Sequence, residues 1–257
     1  MRKFSLKRFK KILDKYQYGL KDIGWNSLFY ENHDQRRSVG RFNTDDDKYR
    51  IESAKMLATS MYFLKGTPFI YQGQEIGMTN TDFTSLNDYQ DIETHNIYET
   101  AKKMLLPKWY INKMIKNGSR DNSRTPMQWD DSSFGGFSNV KPWLKVNSNK
   151  SFINVKDSYQ DPNSIYNYFK KLIEIRKNEP LVKEGDYQDL LPSHKYLYIY
   201  KWEKEYEKLV VYANYSSKTV KNKIKFNDYE ILLNNYQDFS VDEIKPYQSV
   251  VLKIKNR

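Results

Sequence analysis

Apolar positions in the first eighty residues alternate between helix-like and strand-like spacing. One run at helical spacing predicts a helix that ends before Gly66, with apolar positions Ile51, Ala54, Leu57, Ala58, Met61 and Leu64. Shorter apolar runs at 26–30 and 69–71 predict buried strands, and each leads directly into a polar loop. This repeated order of helix, strand and loop is typical of parallel βα units, whose functional groups lie at the carboxyl ends of the strands.

The N-terminal residues form a basic, amphipathic pattern with two structural interpretations. Ser5 is placed as an N-cap and Gly19 as a stop, and the predicted inward face of the helix holds Leu6, Phe9, Ile12, Leu13 and Tyr16. Organelle presequences and membrane-surface helices share this pattern. An ordinary helix packed on a core is the favoured interpretation.

The middle of the chain is richer in Asn, Asp, Ser, Gly and Trp. A helix is predicted at 88–103, followed by a long irregular stretch at 119–145. Ser164 is placed to cap another amphipathic helix. Long irregular stretches usually carry function, so 119–145 is a candidate source of site residues.

Strand-like patterning replaces helical patterning near residue 185. Short β-type runs separated by charged or Asn-rich turns predict a small antiparallel sheet, with strands at 196–202, 209–215, 223–226, 230–233 and 249–254. We therefore place a domain boundary within 181–189, which gives a first domain at 1–183 and a second at 184–257.

Composition excludes several kinds of chemistry. The 257 residues contain no cysteine and three histidines, so a disulfide framework, a thiol nucleophile and a zinc site of the usual spacing are excluded. No apolar run reaches the length of about 18 residues that a membrane span needs, and no signal-peptide pattern is present. We predict a cytoplasmic protein without metal or cofactor.

The net charge of +11 raises the question of a polyanionic partner. Clustered Lys and Arg would neutralise phosphates and release counterions. Here the basic residues are interleaved with acids, as in Lys201-Trp202-Glu203-Lys204-Glu205. We therefore predict no nucleic-acid partner and no membrane partner.

Three polar segments carry a specific signal when they are taken together. They are Glu31-Asn32-His33-Asp34-Gln35 followed by Arg37 and Arg41-Phe42, then 66–80, which contains Gln72-Gly73-Gln74-Glu75-Ile76-Gly77, and finally 119–130, which contains Ser119-Arg120-Asp121-Asn122-Ser123-Arg124. In this order they resemble the Asn-His-Asp motif, the strand-eight loop and the substrate-binding loop of the oligo-1,6-glucosidase branch of the α-amylase superfamily. The resemblance extends through Asp91-Ile92-Glu93-Thr94 and the final sheet, so it covers essentially the whole chain.

The resemblance implies an α/β plus all-β fold, with the last two βα units of a truncated (β/α)8 TIM barrel followed by a small antiparallel C-terminal β-sandwich. It implies a retaining α-glucosidase that releases terminal glucose from short, isomaltose-type oligosaccharides, with α-1,6 linkages favoured. Asp34 would be the transition-state stabiliser, and His33 would donate to the ring hydroxyls of the sugar. Arg120 would reach the same subsite, and Arg124 is the second substrate-binding candidate.

Other residues in these segments have structural interpretations as well as functional ones. A carboxylate in a tight glycine-bearing loop usually accepts local hydrogen bonds, so a structural role is favoured for Glu75. Trp129 and Trp143 are candidates both for stacking on sugars and for anchoring their loop. A basic cluster, formed by Arg36, Arg37 and Arg41, would suit a phosphorylated sugar. Relatives acting on neutral sugars are also basic at the positions of Arg37 and Arg41.

The two carboxyl groups of a retaining mechanism are not among the predicted site residues. In the relatives the nucleophile Asp and the acid Glu follow barrel strands four and five, upstream of the motif that begins here at Asn32. We therefore expect this chain alone to be inactive, either as a fragment or as half of a two-chain enzyme with a separately made N-terminal barrel half. A non-catalytic carbohydrate-binding or assembly role is the alternative, and a basic RNA- or membrane-binding role rests on charge and the first helix alone.

Overall fold

A computed structural model describes residues 4–255, so the outermost residues of both predicted domains lie outside the described part of the chain. The chain divides into two compact units. The first contains Tyr30–Phe42 and Ile70–Tyr166, and the second contains the residues up to Phe29, Asn43–Phe69 and the residues from Asn167 onward. The division at 183/184 stays a prediction, since the units are interleaved along the sequence.

The helices of the described residues are short to medium in length and lie within the first 185 residues of the chain. In chain order they are α1 (Leu6–Gly19), α2 (Ser38–Phe42), α3 (Arg50–Tyr62), α4 (Ile92–Lys103), α5 (Lys108–Gly118), α6 (Asp121–Arg124), α7 (Val155–Gln160), α8 (Ile165–Asn178) and α9 (Leu181–Glu184). Three of these helices were predicted: α3 is the helix expected before Gly66, α4 is the helix expected at 88–103, and α8 is the helix expected after Ser164.

The strands fall into three sheets within the described residues. In chain order they are β1 (Ser27–Leu28), β2 (Thr67–Pro68), β3 (Asp186–Asp189), β4 (Leu197–Lys204), β5 (Glu207–Asn214), β6 (Val220–Lys221), β7 (Tyr229–Asn234), β8 (Glu243–Ile244) and β9 (Ser249–Lys255). β1 pairs with β2, β6 pairs with β8, and the largest sheet has the order β3-β4-β5-β9-β7. The predicted antiparallel C-terminal sheet is confirmed.

The first sheet is a parallel pair, as the repeated βα order predicted. The N–H groups of Thr67 and Phe69 donate to the carbonyls of Asn26 and Leu28, each over 2.8 Å. Pro68 lies between these two donors, where it has no hydrogen bond to give. The polar segments of the first unit follow directly after β1 and β2.

The strand predicted at 69–71 is wrong in its bounds, because the observed strand β2, Thr67–Pro68, lies wholly before that segment. Gly66 has φ of +148°, a conformation that residues with a side chain rarely adopt. A Cβ atom at this position would lie 2.7 Å from the carbonyl oxygen of Asn26. The glycine therefore lets the chain approach β1 at once, before the apolar run begins.

α3 is buried on almost every side, and a cation closes its C-terminal end. Burial covers most of its length. The guanidinium of Arg176, on α8, donates to the carbonyls of Tyr62, Leu64 and Gly66, with 2.9 Å for Leu64. Burial lowers the pKa of Arg176 to about 10. One side chain thus satisfies the last carbonyl of α3, at Tyr62, and two carbonyls of the segment that follows the helix.

The large antiparallel sheet builds its own apolar core. Residues on β4, β5 and β9 point into one cluster with Ile244 of β8, and this cluster includes Leu197, Ile199, Val210, Tyr212, Val250, Leu252 and Ile254. Alternating side chains of strands that face a core are expected to be apolar. The four predicted strands at 196–202, 209–215, 230–233 and 249–254 correspond to β4, β5, β7 and β9.

The predicted strand at 223–226 is wrong. Ile224 and Phe226 are partly buried against the apolar core of the sheet, as their apolar character suggested. The side chain of Asn222, however, accepts from the N–H of Ile224 (3.0 Å) and donates to its carbonyl (2.6 Å). A side chain that bonds to the neighbouring main chain competes with strand pairing, and the paired segment is β6 instead.

The inward face of α1 differs from the prediction. Leu6 and Leu13 are buried as predicted, whereas Ile12 and Tyr16 are 56% and 47% exposed. Lys10 is buried instead, and its ammonium donates to two main-chain carbonyls at and before the start of β4. The helix packs on the core, in agreement with the favoured interpretation. No helix in residues 4–255 combines the length and the apolar character needed to cross a membrane.

Candidate active site

A buried ion pair holds the loop that follows β1. The side chains of Glu31 and Arg37 are fully buried, and Arg37 donates to Glu31 over 3.0 Å and to the carbonyl of Gln72 over 2.6 Å. The second carboxylate oxygen of Glu31 accepts from the N–H and the hydroxyl of Ser38, over 2.7 and 2.6 Å. Both ends of the loop are therefore fixed, and the predicted site residues lie between them.

His33 and Asp34 lie side by side at the exposed crest of this loop. The Nε2 atom of His33 is 3.3 Å from Asp34 Oδ2, and the two side chains are 68% and 50% exposed. The N–H of Asp34 donates to the side-chain oxygen of Asn32 over 2.9 Å, which fixes the turn. The carboxylate of Asp34 is therefore held in place and open to a ligand.

Arg124 makes the shorter of two arginine contacts with this pair. Its Nη2 atom donates to Asp34 Oδ1 over 3.0 Å, and its Nε donates to the carbonyl of His33 over 2.8 Å. One guanidinium thus fixes the main chain and the carboxylate of the motif together. The sequence favoured Arg120 for the position nearest Asp34, and the structure brings both arginines to it.

Arg120 lies between two carboxylates. Its Nη1 atom is 3.7 Å from Asp34 Oδ1. Its other edge meets Asp91, with Nε donating over 3.1 and 3.2 Å and Nη2 donating over 2.5 Å. Glu93 adds an ion pair at 3.5 Å from Nε. Burial alone would raise the pKa of Asp91, but the hydrogen bonds from Arg120 and neighbouring groups hold this pKa below its ordinary value.

A second buried carboxylate fixes the main chain beside Asp91. Asp121, which follows Arg120 in the sequence, accepts from the N–H groups of Gln90 and Asp91 over 2.7 and 2.9 Å. Asp91 also caps α4, since its side chain accepts from the N–H of Glu93 over 3.3 Å. Neither Asp91 nor Asp121 was predicted as a site residue. Both residues lie in segments that carry the family resemblance, but their positions in the sequence do not show which groups their carboxylates bind.

Glu75 lies in the tight turn after β2, within the one-turn 3₁₀ helix Gln74–Ile76. Gly73 has φ of +85°, and a Cβ atom there would lie 2.3 Å from the sulfur of Met78. Burial raises the pKa of Glu75, although local main-chain hydrogen bonds and Arg37 oppose this shift. This environment agrees with the favoured structural role.

The two tryptophans of the irregular stretch are exposed. Trp129 and Trp143 are 50% and 68% exposed. The N–H groups of Trp129 and Asp130 donate to the carbonyl of Gly135 over 2.7 and 3.2 Å, so the main chain of this loop closes on itself. The rings themselves are available to solvent, and stacking on a sugar stays a prediction for both.

The arginine cluster at the end of the first loop is only partly available to an anion. Arg37 is buried on Glu31. Arg36 donates to the side chain of Asn117 over 2.6 Å, and Arg41 lies 4.9 Å from the ring of Phe42. The three side chains therefore have separate partners. Among residues 4–255, no group of three or more carboxylate or histidine side chains is arranged to hold a metal ion.

Comparison with known proteins gives a consistent result over the full chain. Residues 1–185 match the family described as Alpha amylase, catalytic domain. The oligo-1,6-glucosidase of Parageobacillus thermoglucosidasius is 44% identical over 99% of this chain and 47% of its own length. That of Bacillus cereus is also 44% identical, over 98% of this chain and 46% of its own. The chain spans about half the length of the relatives it matches.

Solved structures give the same result. The trehalose-6-phosphate hydrolase of Bacillus licheniformis is 40% identical and superposes with a TM-score of 0.94, over 100% of this chain and 48% of its own. The isomaltulose synthase of Erwinia rhapontici NX5 is 35% identical, with a TM-score of 0.91 over 99% of this chain and 47% of its own.

Proposed function

The chain belongs to the α-amylase catalytic-domain family and is similar to a C-terminal part of its oligo-1,6-glucosidases, and we therefore propose that it is the C-terminal part of a retaining α-glucosidase. The proposed reaction is hydrolysis of terminal α-linked glucose from short, isomaltose-type oligosaccharides. The observation that carries the proposal is the exposed Asp34 carboxylate, held beside His33 and two arginines at a strand end. The barrel portion would consist of the last two βα units, at β1 and β2.

The proposed role of Asp34 follows from the charge of the transition state. Glycoside hydrolysis passes through an oxocarbenium-like transition state in which the sugar ring becomes positively charged. A carboxylate fixed beside the ring stabilises this charge without reorganisation during the reaction. Asp34 is fixed by its turn and by Arg124, and half of its side-chain surface is open to a sugar.

The neighbouring donors would bind the sugar hydroxyls. His33 lies next to the carboxylate and is mostly exposed, so its ring can donate to a ring hydroxyl. Arg120 and Arg124 hold the carboxylate and present further N–H groups on the same side. Hydrogen bonds to sugar hydroxyls that strengthen as charge develops lower the barrier.

We propose that the nucleophile and the general acid come from outside these 257 residues. Retaining glycosidases need two carboxyl groups about 5 Å apart. Asp34 is assigned to stabilisation, and the carboxylates nearest to it along the Arg120 network, Asp91 and Glu93, are occupied by ion pairs with this arginine. A barrel half supplied by an upstream segment is therefore the proposed partner, and an oligosaccharide is the proposed substrate.

The test is hydrolysis of p-nitrophenyl α-glucoside by the purified chain, alone and mixed with the upstream half of the Bacillus cereus relative. We expect no activity from the chain alone and measurable activity from the mixture. Asp34→Asn in the mixture should reduce kcat at least about a hundredfold, because it removes a fixed charge at the transition state. Asp45→Asn, at an exposed acid of the second unit, is the matched control and should leave kcat unchanged.

The outcomes separate the competing roles. Activity of the chain alone would contradict the assignment of the nucleophile and acid to another segment. A mixture in which Asp34→Asn and Asp45→Asn behave alike would contradict the role of Asp34. Binding of isomaltose by the chain with no activity in any mixture would favour the non-catalytic carbohydrate-binding role.

The substrate is proposed at the level of linkage. Relatives of this chain include proteins named oligo-1,6-glucosidase and trehalose-6-phosphate hydrolase. Arg37, the central residue of the basic cluster, is buried on Glu31 and cannot reach a phosphate. We therefore propose that isomaltose is hydrolysed faster than trehalose 6-phosphate by the active mixture, and a comparison of kcat/KM for the two sugars tests this.

A further inference from the structure

Arg120 uses its two edges for different partners. The edge formed by Nε and Nη2 donates to Asp91 through three contacts between 2.5 and 3.2 Å. The remaining nitrogen, Nη1, is the one that lies 3.7 Å from Asp34. A guanidinium bound by a carboxylate along one edge has its plane fixed, because two parallel hydrogen bonds prevent rotation. We propose that Asp91 is a positioning residue that aims Nη1 of Arg120 at Asp34 and the sugar beside it.

The burial of the partners supports this direction of cause. The side chain of Asp91 is 2% exposed, whereas those of Arg120 and Asp34 are 29% and 50% exposed. The buried carboxylate of Asp91 cannot contact a ligand directly, whereas the exposed side chains of Arg120 and Asp34 can. Asp91 therefore acts as the fixed reference for the arginine, and it acts on the reaction only through Arg120.

Asp121 supports Asp91 from behind. Asp121 directly follows Arg120 in the sequence, and its carboxylate accepts from the N–H groups of Gln90 and Asp91. The main chain at Arg120 also donates to Asp91 Oδ2 over 3.3 Å. The two segments are thus joined in both directions: the side chain of Asp91 binds Arg120, and the side chain of Asp121 binds the main chain of Asp91. A reciprocal link of this kind fixes the separation of the start of α4 and the start of α6.

The cap role of Asp91 can be separated from its positioning role by choice of variant. Serine at this position keeps a side-chain oxygen for the first turn of α4, since Ser and Asp are comparable N-caps. It cannot reach both Nε and Nη2 of Arg120. Asp91→Ser should therefore remove positioning while it preserves the helix. Asp157→Ser is the matched control, because it makes the same chemical change at an exposed carboxylate in the first turn of α7, where that carboxylate accepts from the side chain of Asn154 over 2.8 Å.

The first measurement is the ¹⁵N–¹H resonance of Arg120 Nε in the isolated chain, assigned by its loss in Arg120→Lys. We expect slow exchange of this proton with water in the wild-type chain and in Asp157→Ser. In Asp91→Ser, exchange should be at least about tenfold faster, because the hydrogen bonds that protect the proton are gone. Unchanged exchange in Asp91→Ser would overturn the proposal, and so would an equal change in Asp157→Ser.

The second measurement rests on the proposed function and uses the active mixture with the upstream half. We expect Asp91→Ser to lower kcat about tenfold or more with a much smaller change in KM, as for other residues that orient a contacting group. Asp157→Ser should leave both unchanged. A rise in KM alone would contradict a transition-state role. If the wild-type mixture is inactive, the proposed function fails while the exchange measurement still decides the positioning. Where Asp91→Ser does not fold by circular dichroism, Asp91→Asn is measured instead, with the same expected directions.

Discussion

Two carboxylates in the same loop have different environments, and the difference separates structure from chemistry. Glu31 is fully buried, and both of its oxygens accept hydrogen bonds from Arg37 and Ser38. Asp34, three residues later, is half exposed and held from one side by Arg124. A fully buried carboxylate whose two oxygens both accept hydrogen bonds from the protein is not accessible to a substrate. At the scale of single residues, Glu31 therefore builds the loop, and Asp34 is presented by it.

Loss of the buried carboxylate should be costly to stability. In Glu31→Gln the guanidinium of Arg37 stays buried without a counter-charge, so we expect the free energy of unfolding to fall by about 3 kcal/mol. Urea unfolding followed by circular dichroism measures this. The matched control is Glu184→Gln, which breaks an exposed ion pair with Lys204 at 2.7 Å. Exposed pairs contribute little, so equal losses in the two variants would contradict the argument.

At the scale of helices and strands, the sequence predicts an element well where its own spacing decides the outcome. α3 and α8 have long runs of apolar residues at helical spacing, and both form as predicted. The predicted buried face of α1 was wrong because Lys10 turns inward and donates to main-chain carbonyls outside the helix. α5 was not predicted, and only Ile111 and Ile115 of its residues are buried, so its periodic signal is short.

The same limit applies to the candidate site. Motif order alone was enough to predict that His33, Asp34, Arg120 and Arg124 belong to one site, and the structure brings them together. The link from Arg120 to Asp91 joins residues 29 positions apart through side chains. No local pattern encodes such a contact, because each residue also has an ordinary local explanation.

The join between β1 and β2 depends on a glycine. In Gly66→Ala the new Cβ would lie 2.7 Å from the carbonyl of Asn26, at a φ of +148° that alanine disfavours. We expect a loss of about 2 kcal/mol in the free energy of unfolding. Gly19→Ala is the control, since nothing lies within 4 Å of its Cβ position, and it should be neutral or stabilising by about 0.5 kcal/mol. Urea unfolding of the two variants tests both signs.

The packing of α1 on the sheet should depend on pH through Asp189 of β3. Burial raises the pKa of Asp189 to about 6 from an ordinary value of 3.8, while the charge of Lys10 opposes the shift. The folded chain therefore holds an extra proton between about pH 4 and pH 6. The resulting stabilisation is complete below pH 4 and is lost as the pH rises through 6, by up to about 3 kcal/mol.

Asp189→Asn isolates this contribution. The difference in the free energy of unfolding between wild type and variant should change from pH 4 to pH 6.5 and stay constant above it. The other titratable groups near Asp189 include Asp14, Lys10, Tyr18 and Tyr187, and none of them is removed by the substitution. A difference that stays flat over the whole range would contradict the raised pKa.

At the scale of the whole molecule, β1 and β2 form a parallel sheet of two strands. Within the described residues, no further strand pairs with the outer edge of either one. Parallel sheets are normally covered on both faces and extended by further strands. Phe29 and Phe69, beside the pair, are 46% and 54% exposed. Exposed aromatic residues at an unpaired strand edge favour a partner that adds strands there. This agrees with the proposed upstream barrel half and with a chain that spans about half the length of its relatives.

Phe69 gives a sharp test of that partner. In Phe69→Asp a charge replaces an exposed ring, so the fold of the isolated chain should change little, while association with the upstream half should weaken at least about tenfold. Tyr206→Asp, at the exposed turn between β4 and β5, makes the same chemical change away from β1-β2 and should leave association unchanged. Sedimentation velocity of each variant with the Bacillus cereus half measures the affinity. Equal binding by both variants would place the partner on another surface, and a complex that Phe69→Asp alone disrupts would assign it to the strand pair that carries the site loops.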